Sequence, residues 1–225
     1  MKKIQNQKKV YKSVSGHGVD VASQRADDLD RLCVQHIEGK SGAHILDLGA
    51  GLGGQSMRMV QAGAQVAAVD NHDFAEYFSE LRAKNALDKT QLSFVKADIK
   101  NLPEALAKYE FTDVIFQRAI HFVTYPAAAA VLVYLHEKIE DTLFISVTGL
   151  ASAIGAKYAD AKQSVVHRFC TLHPEHAQIF SITEPVCLYT KEEFIFLLEK
   201  SGWQVERCWE SAFGNIKAVC THKTV

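Results

Sequence analysis

The sequence predicts an α/β fold: a doubly wound, mostly parallel sheet with helices on both faces. Five short apolar runs alternate with segments of helical length along the first two thirds of the chain. A glycine-rich turn follows the first of these runs directly, where such folds pass from strand to helix. The length of 225 residues is that of one domain of this class with room for an insertion.

The predicted strands are apolar nearly throughout, as expected for strands covered by helices on both faces. They are the runs "HILDLG" (44–49), "QVAAVD" (65–70), "LSFVKAD" (92–98), "TDVIFQ" (112–117) and "TLFISVT" (142–148). The segments between them, 53–62, 74–86, 102–108 and 126–139, are each long enough for a crossover helix. Because such crossovers are almost always right-handed, the strands should form one doubly wound sheet.

The C-terminal region has a different pattern. Thr190 and Glu193 form a capping box for a helix that Gly202 ends. Two β runs follow, "WQVERCW" and "NIKAVCT", with no helical segment between them, so they should pair antiparallel. Residues 150–189 fit no crossover pattern and are interpreted as an insertion over the sheet edge. We divide the chain into an N-terminal helical or lid segment, residues 1–42, and a main domain, residues 43–225, whose insertion can serve as a substrate lid.

Composition and charge argue against several classes of protein. With 25 basic and 26 acidic residues, the chain has no global field for nucleic acid or an anionic membrane. The lysine-rich start is interpreted as a solvated arm. The longest apolar run, residues 126–135, is shorter than the roughly 18 residues of a membrane helix. Five widely spaced cysteines without a CxxC pair suggest reduced thiols rather than disulfides or zinc. We therefore expect a cytoplasmic protein without membrane association.

The turn "ILDLGAGLGGQS", residues 45–56, satisfies both GxGxG and GxGxxG between a strand and a helix. Glycine there allows a tight turn and lets a ligand approach the backbone more closely than a Cβ would permit. Asp70 ends the second strand 21 positions after Gly49, where a carboxylate can accept hydrogen bonds from both hydroxyls of a ribose. The combination predicts a cofactor that carries a nucleoside.

The charge of the turn bears on which cofactor binds. In a dinucleotide site the loop amides hold a pyrophosphate, which an additional carboxylate would repel. Asp47 stands two residues before Gly49. A carboxylate at this position suits a ligand that carries an ammonium and a sulfonium group.

These motifs resemble those of the class I S-adenosylmethionine-dependent methyltransferases. The resemblance lies in "DLGAGLG" (47–53), Asp70 closing "VAAVD", "VKADIKNLP" (95–103) and "FTDVIFQRAIHF" (111–122), and it resumes with the final helix and hairpin. It implies a seven-stranded sheet ending in an antiparallel hairpin, and S-adenosyl-L-methionine as cofactor. The cofactor-binding residues implied by position are Asp47, Gly49, Ala50, Gly51, Gly53, Asp70, Asn71, Asp98, Ile99 and Gln117.

Two of these positions have a second interpretation. Asp98, implied at the adenine edge with Ile99, can instead cap the helix that follows it. Asn71 departs from the family pattern, because an apolar residue commonly lies against the adenine at this point. His72 is an alternative stacking partner.

Residues after the fourth strand are the candidate catalytic groups, since open α/β sheets bind ligands at the carboxyl ends of their strands. His121 is the candidate general base, with a packing histidine as the alternative. Arg118 can hold an anionic group of the acceptor or be a solvated helix residue. A base is needed only for a hydroxyl or ammonium acceptor, because a sulfonium methyl is already electrophilic.

A small-molecule acceptor with an N or O nucleophile is the favoured substrate. "FQRA" follows "FTDVI" where exocyclic-amine methyltransferases have an Asn/Asp-Pro-Pro-aromatic turn, and no Pro-Cys pair offers a nucleophile. RNA or protein methylation stays open, as do a nicotinamide oxidoreductase and a non-catalytic binding module. Residues of the possible lids are Tyr11, His17 and Arg25, and Tyr158, His167, Arg168, His173 and His176. "HPEH" (173–176) predicts a helix that begins at proline rather than a metal site, and no metal is expected.

Overall fold

The computed structural model describes residues 16–222, which form a seven-stranded sheet between two layers of helices. The sheet order is β3-β2-β1-β4-β5-β7-β6. Strand β7 runs antiparallel to β5 and β6, and the other neighbours pair parallel. The strands are β1 His44–Leu48, β2 Gln65–Asp70, β3 Leu92–Lys96, β4 Phe111–Gln117, β5 Ile139–Thr148, β6 Trp203–Glu210 and β7 Asn215–His222. The predicted fold class, including the antiparallel C-terminal hairpin, is confirmed.

Residues 16–222 contain seven α-helices. They are α1 Asp28–Ile37, α2 Gly54–Gln61, α3 Ala75–Lys84, α4 Leu102–Ala105, α5 Tyr125–Lys138, α6 Pro174–Phe180 and α7 Lys191–Lys200. Four of them, α2 to α5, fall on the segments expected to cross between strands. Both sides of the Thr190 and Glu193 capping box are formed, so α7 begins where the sequence predicts. A second capping box, between Asp27 and Asp30, begins α1.

The two faces of the sheet carry separate apolar cores. Cys33 of α1, Met59 of α2 and Phe78 of α3 are fully buried against one face. Leu132 of α5 and Phe194 of α7 are fully buried against the other. The near-continuous apolar character of the central strands follows from this double coverage. None of the helices between residues 16 and 222 has the length and apolar content needed to cross a membrane.

The segment between β5 and α7 covers the residues interpreted as an insertion in the sequence. It contains α6 and a short 3₁₀ helix, Val165–His167, and encloses a small apolar cluster of its own. The cluster comprises Tyr158, Leu172, Ile182, Val186 and Leu188. All five cysteines lie in the described residues and have free thiols.

Arg168 attaches this insertion to the rest of the domain. Its guanidinium is buried and donates 2.7 Å and 3.1 Å hydrogen bonds to the two carboxylate oxygens of Glu193 in α7. It also donates to the carbonyl oxygens of Leu188 at 2.7 Å and Gln163 at 2.8 Å. Arg168, expected in a lid, therefore serves to anchor the insertion on the capping box of α7.

Replacing Arg168 with Ala should destabilise the domain strongly. The change leaves a carboxylate and two carbonyl groups without their donor, so we expect the free energy of unfolding to fall by ~2–3 kcal/mol. Denaturant unfolding measures the effect. Lys157→Ala, which removes an exposed ion pair with Glu175, is the matched control and should change stability little. Equal effects of the two changes would contradict the anchoring role of Arg168.

Candidate functional site

The turn between β1 and α2 has a backbone that only glycine adopts readily. Gly49, Gly51 and Gly53 have φ values of 71°, 53° and 71°, all in the left-handed region. A Cβ at Gly49 would lie 2.6 Å from the Cβ of Ala119, and one at Gly53 would lie 2.8 Å from the ring of Phe78. The turn is thus packed closely between the start of α3 and the segment after β4.

Asp70 is held beside this turn by backbone amides. One carboxylate oxygen accepts a 2.9 Å hydrogen bond from the N–H of Gly51, and the other accepts one of 2.9 Å from the N–H of His72. The side chain is nearly buried at the carboxyl end of β2. The predicted spacing between the glycine turn and the acid therefore places them in direct contact.

Asp47 lies beneath the same turn and is buried. Its carboxyl accepts a 2.5 Å hydrogen bond from the Oγ of Ser56. Burial raises the pKa of Asp47 to about 7, and the neighbouring carboxylates of Asp30, Asp20 and Asp70 add to the rise. Several acids thus face one another across this part of the site, with Asp47 at the centre.

A cavity of about 1170 Å³ opens at the carboxyl ends of the parallel strands. Its wall contains eleven of the twelve residues predicted for the site: Asp47, Gly49, Ala50, Gly51, Asp70, Asn71, Asp98, Ile99, Gln117, Arg118 and His121. Gly53, the twelfth, packs against Phe78 instead of lining the cavity. The third glycine of the motif is thereby explained by helix packing.

The two ambiguous positions at the β2 and β3 ends both face the cavity. Asp98 caps the 3₁₀ helix Ile99–Asn101 by accepting a 2.9 Å hydrogen bond from the N–H of Lys100. Capping and cavity lining are thus compatible at Asp98. The side-chain oxygen of Asn71 lies 2.7 Å from Nδ1 of His72, and both residues line the cavity.

Beyond β4 the backbone turns through a strained residue. Arg118 has a φ of 53°, uncommon for a residue with a side chain. Its N–H donates to both the carbonyl oxygen and the Oγ of Ser146, each at 3.1 Å. Its guanidinium donates a 3.3 Å hydrogen bond to Asp27. Neighbouring β5 therefore holds this conformation, which aims Arg118 toward the start of α1.

Three residues of the cavity floor escaped the sequence analysis: Asp27, Asp30 and Lys217. The buried ammonium of Lys217 on β7 donates to Asp27 at 2.7 Å and also to Asp28. The side-chain amide of Gln117 donates to Asp30 and, at 3.3 Å, to Asp27. The Asp-x-x-Asp capping box and the lysine within the apolar β7 run were available signals in the sequence.

The pKa values of the two floor carboxyls are shifted in opposite directions. Burial would raise the pKa of Asp27, but the hydrogen bond and charge of Lys217, with backbone and Arg118 contributions, lower it. The pKa of Asp30 is raised by burial and by the charge of Asp27. The floor therefore holds one carboxylate compensated by two cations beside one that accepts a proton more readily.

His121 is buried in the cavity wall within the 3₁₀ helix Ile120–Phe122. Burial lowers the pKa of His121 to about 3, with further contributions from the charges of Arg118 and His17. Its Nδ1 is buried without a hydrogen-bond partner in the described structure. The imidazole is therefore neutral near pH 7 and carries an unused hydrogen-bonding group.

The N-terminal segment and the insertion meet over the cavity. His17 pairs with Ile182 in an antiparallel bridge, and the N–H of Gly18 donates a 2.9 Å hydrogen bond to the carbonyl of Ser181. His17 and Arg25 of the expected lids line the cavity, whereas Tyr158, His167, Arg168, His173 and His176 do not. Tyr11 and the lysine-rich start lie outside the described residues. The insertion contributes Ile154, Phe180, Ile182 and Glu184 to the wall instead.

The candidate metal-binding group within the described residues lies outside the cavity. Among residues 16–222, one group of His, Cys, Asp and Glu side chains comes close enough to hold an ion: His36, Asp113 and Asp141. The ammonium of Lys40 lies 2.8 Å from each of the two carboxylates and neutralises the group. α6 begins at Pro174, so the "HPEH" motif starts a helix as predicted.

Residues 45–140 match a family model described as a methyltransferase domain. No curated protein matches the chain.

Among solved structures, the chain is similar to a 1,6-didemethyltoxoflavin-N1-methyltransferase of Burkholderia thailandensis. The identity is 17% and the TM-score 0.65, over 91% of this chain and 79% of that one. It is also similar to the magnesium protoporphyrin IX methyltransferase of Synechocystis PCC 6803, with 15% identity and a TM-score of 0.64 over 86% and 82%. For an S-adenosylmethionine-dependent methyltransferase of Aquifex aeolicus, the identity is 16% and the TM-score 0.61, over 91% of this chain and 94% of that one. At these identities the likeness is one of fold.

The raised pKa of Asp47 makes stability depend on pH in a direction that can be measured. A carboxyl with a raised pKa binds its proton more tightly in the folded chain, so its contribution is present below about pH 4 and lost as the pH rises through about 7. Asp47→Asn removes this titration. We therefore expect the melting temperature of the variant to rise relative to that of the unaltered protein as the pH increases from 4 to 8.

The difference between the two unliganded proteins isolates Asp47, because all other titrating groups are common to both. Calorimetric melting over this pH range measures it. Melting curves that stay a constant interval apart would show that Asp47 does not titrate there.

Proposed function

We propose that this chain is an enzyme that uses S-adenosyl-L-methionine to methylate a small molecule. Its residues 45–140 match a methyltransferase domain model, in agreement with the family resemblance of the sequence. The acceptor atom is a nitrogen or an oxygen. The observation that carries the proposal is the meeting of Asp47 and Asp70 at the left-handed glycine turn, on the wall of a cavity large enough for a cofactor and an acceptor.

The residues of the site suit this cofactor. Gly49, Ala50 and Gly51 line the cavity and are assigned to the methionine portion, and Asp70 is placed for the ribose hydroxyls. The pocket between Asn71, Asp98 and Ile99 is assigned to the adenine. Asp98 accepts from the Lys100 N–H through one oxygen, and its other oxygen lies 3.3 Å from the Lys100 Nζ and keeps a lone pair for the adenine amino group.

The charge of the cavity wall supports a cationic ligand. Nine carboxyl side chains line it against five from lysine and arginine. The acids are Asp20, Asp27, Asp28, Asp30, Asp47, Asp70, Asp98, Glu184 and Glu210, and the bases are Arg25, Arg31, Lys100, Arg118 and Lys217. A sulfonium with an ammonium is attracted here, whereas the pyrophosphate of a nicotinamide dinucleotide is repelled. This favours the methyltransferase over the oxidoreductase alternative.

The chain's own contribution to catalysis is positioning. When bound, S-adenosyl-L-methionine would supply an electrophilic methyl group. Gln117, Arg118 and His121 line the cavity beyond β4 and are placed to orient the acceptor. The neutral imidazole of His121 can accept a hydrogen bond from the N–H or O–H of the acceptor and direct its lone pair. With a pKa of about 3, His121 orients the nucleophile more effectively than it removes a proton.

The small-molecule acceptor is supported by the enclosure of the site. Residues 16–18 and 180–184 meet beside the cavity and cover part of it, which favours a small ligand over a polymer. The similar Burkholderia protein was crystallised with 1,6-didemethyltoxoflavin, and the Synechocystis protein methylates magnesium protoporphyrin IX. Both are small molecules. RNA and protein acceptors are the alternatives that an acceptor screen tests.

Calorimetric titration tests the cofactor assignment. The unaltered protein should bind S-adenosylmethionine and S-adenosylhomocysteine, and should not bind NAD. Asp70→Asn should weaken both methyl-donor ligands by at least ~10-fold, because it removes the charge from the hydrogen bonds to the ribose. Asp88→Asn, in the exposed turn before β3, is the control and should bind normally. Tight binding of NAD, or unchanged affinity of a folded Asp70→Asn variant, would contradict the assignment.

A screen of amines, hydroxyl compounds and aromatic heterocycles, with RNA and peptides included, identifies the acceptor. For any acceptor found, His121→Ala should keep S-adenosylmethionine affinity within a few fold and lower turnover by ~10²-fold, because the acceptor loses its orienting partner. Turnover and melting temperature are measured together. A variant that melts earlier but turns over normally would show that His121 serves packing alone.

A further inference from the structure

Residues 16–27, named here the strap, cross the cavity and touch the glycine turn directly. The Asp20 carboxylate accepts a 3.0 Å hydrogen bond from the N–H of Leu52. The carbonyl of Ala22 accepts one of 2.6 Å from the guanidinium of Arg58 on α2. A Cβ at Gly54 would lie 2.2 Å from this same carbonyl oxygen. The glycine turn is therefore shaped to receive the strap as well as a ligand.

Asp20 stands at the point of the turn that the cofactor is proposed to follow. A Cβ added to Gly51 would lie 3.1 Å from a carboxylate oxygen of Asp20. Within residues 16–222, the Asp20 carboxylate accepts hydrogen bonds from the backbone N–H groups of Ser23 and Leu52. Each oxygen keeps a further lone pair, so the carboxylate can accept another donor.

Asp20 lies near other acidic side chains, and a bound cation would offset the repulsion between them. Its negative charge contributes to the raised pKa of Asp47, together with Asp30 and Asp70. The two cations on the cavity floor, Arg118 and Lys217, are instead paired with Asp27. The carboxylates beside the turn thus attract positive charge.

The strap also reaches the acceptor side of the cavity. At His17 and Gly18 it pairs with Ile182 and Ser181 of the insertion. Phe180, Ile182 and Glu184 of that segment line the cavity. A ligand that binds Asp20 would therefore steady the strap, and through it this part of the roof.

We propose that Asp20 binds the α-ammonium group of the cofactor's amino-acid tail, so that the strap recognises the intact tail and closes over it. The inference rests on the proposed function and adds a residue from outside the family motifs. A carboxylate tail is disfavoured at this point, because Asp20 already accepts from Leu52 and would repel a second anion. The ammonium is the tail group that this position attracts.

Two ligands separate the contribution of the tail from that of the nucleoside. S-adenosylhomocysteine carries the amino-acid tail, whereas 5′-methylthioadenosine has the same nucleoside and sulfur without it. Asp20→Asn should weaken S-adenosylhomocysteine by at least ~10-fold and change 5′-methylthioadenosine affinity less than ~2-fold. Calorimetry at about pH 8.5, above the pKa of Asp47, keeps the charge of that carboxyl constant. Asp73→Asn, an exposed acid paired with Lys96, is the control and should leave both affinities unchanged.

Limited trypsin digestion gives a second readout, because Arg25 is an exposed site in the strap. S-adenosylhomocysteine should slow cleavage after Arg25 in the unaltered protein, and 5′-methylthioadenosine should not. Asp20→Asn should lose the protection. Equal or tighter S-adenosylhomocysteine binding by Asp20→Asn would overturn the role of Asp20 while leaving the proposed function intact. Failure of the unaltered protein to bind either ligand would overturn both.

Discussion

The left-handed backbone of residues 49–53 is the constraint on which the site depends. Three glycines in this conformation turn the chain sharply out of β1 and leave the N–H groups of Gly51 and Leu52 available to Asp70 and Asp20. Side chains are excluded there by Ala119 and Phe78. The close approach of neighbouring segments that the turn allows brings together carboxylates from β1, β2 and the strap, which repel one another until a cation enters.

In the opposite half of the cavity, the acidic and basic side chains are paired. Asp27 accepts from Arg118 and Lys217, and so links the start of α1 to β4 and β7. A buried lysine on a strand is tolerated because its ammonium is paired. The cavity therefore has a neutralised, rigid floor beside a turn rich in uncompensated carboxylates. Under the proposed function this asymmetry suits a methyl donor, because its charged sulfur is attracted to the turn while the acceptor is oriented elsewhere in the cavity.

The features that the sequence predicts are those encoded by neighbouring residues. Strand positions follow from apolar runs, the turn from glycine spacing, and the Asp70 contact from its offset behind Gly49. The floor is different, because Lys217 and Asp27 are separated by 190 positions and meet only through the antiparallel insertion of β7 beside β5. Asp20 likewise contacts Leu52 across 32 positions. The periodicity of the sequence does not indicate such long-range pairs. Arg168 shows the opposite case. The sequence analysis placed it in a possible lid, but its burial against Glu193 makes it an anchor of the insertion.

His121 illustrates how the environment decides what a correctly located residue can do. Its place after β4 follows from the sequence, but its protonation depends on burial and on the charges of Arg118 and His17. A protonated imidazole beside a sulfonium would add a second positive charge and weaken binding of the methyl donor. A neutral one keeps a hydrogen-bond acceptor near the nucleophile without that repulsion. The same burial that makes His121 a poor base is thus compatible with the cationic cofactor proposed for this site.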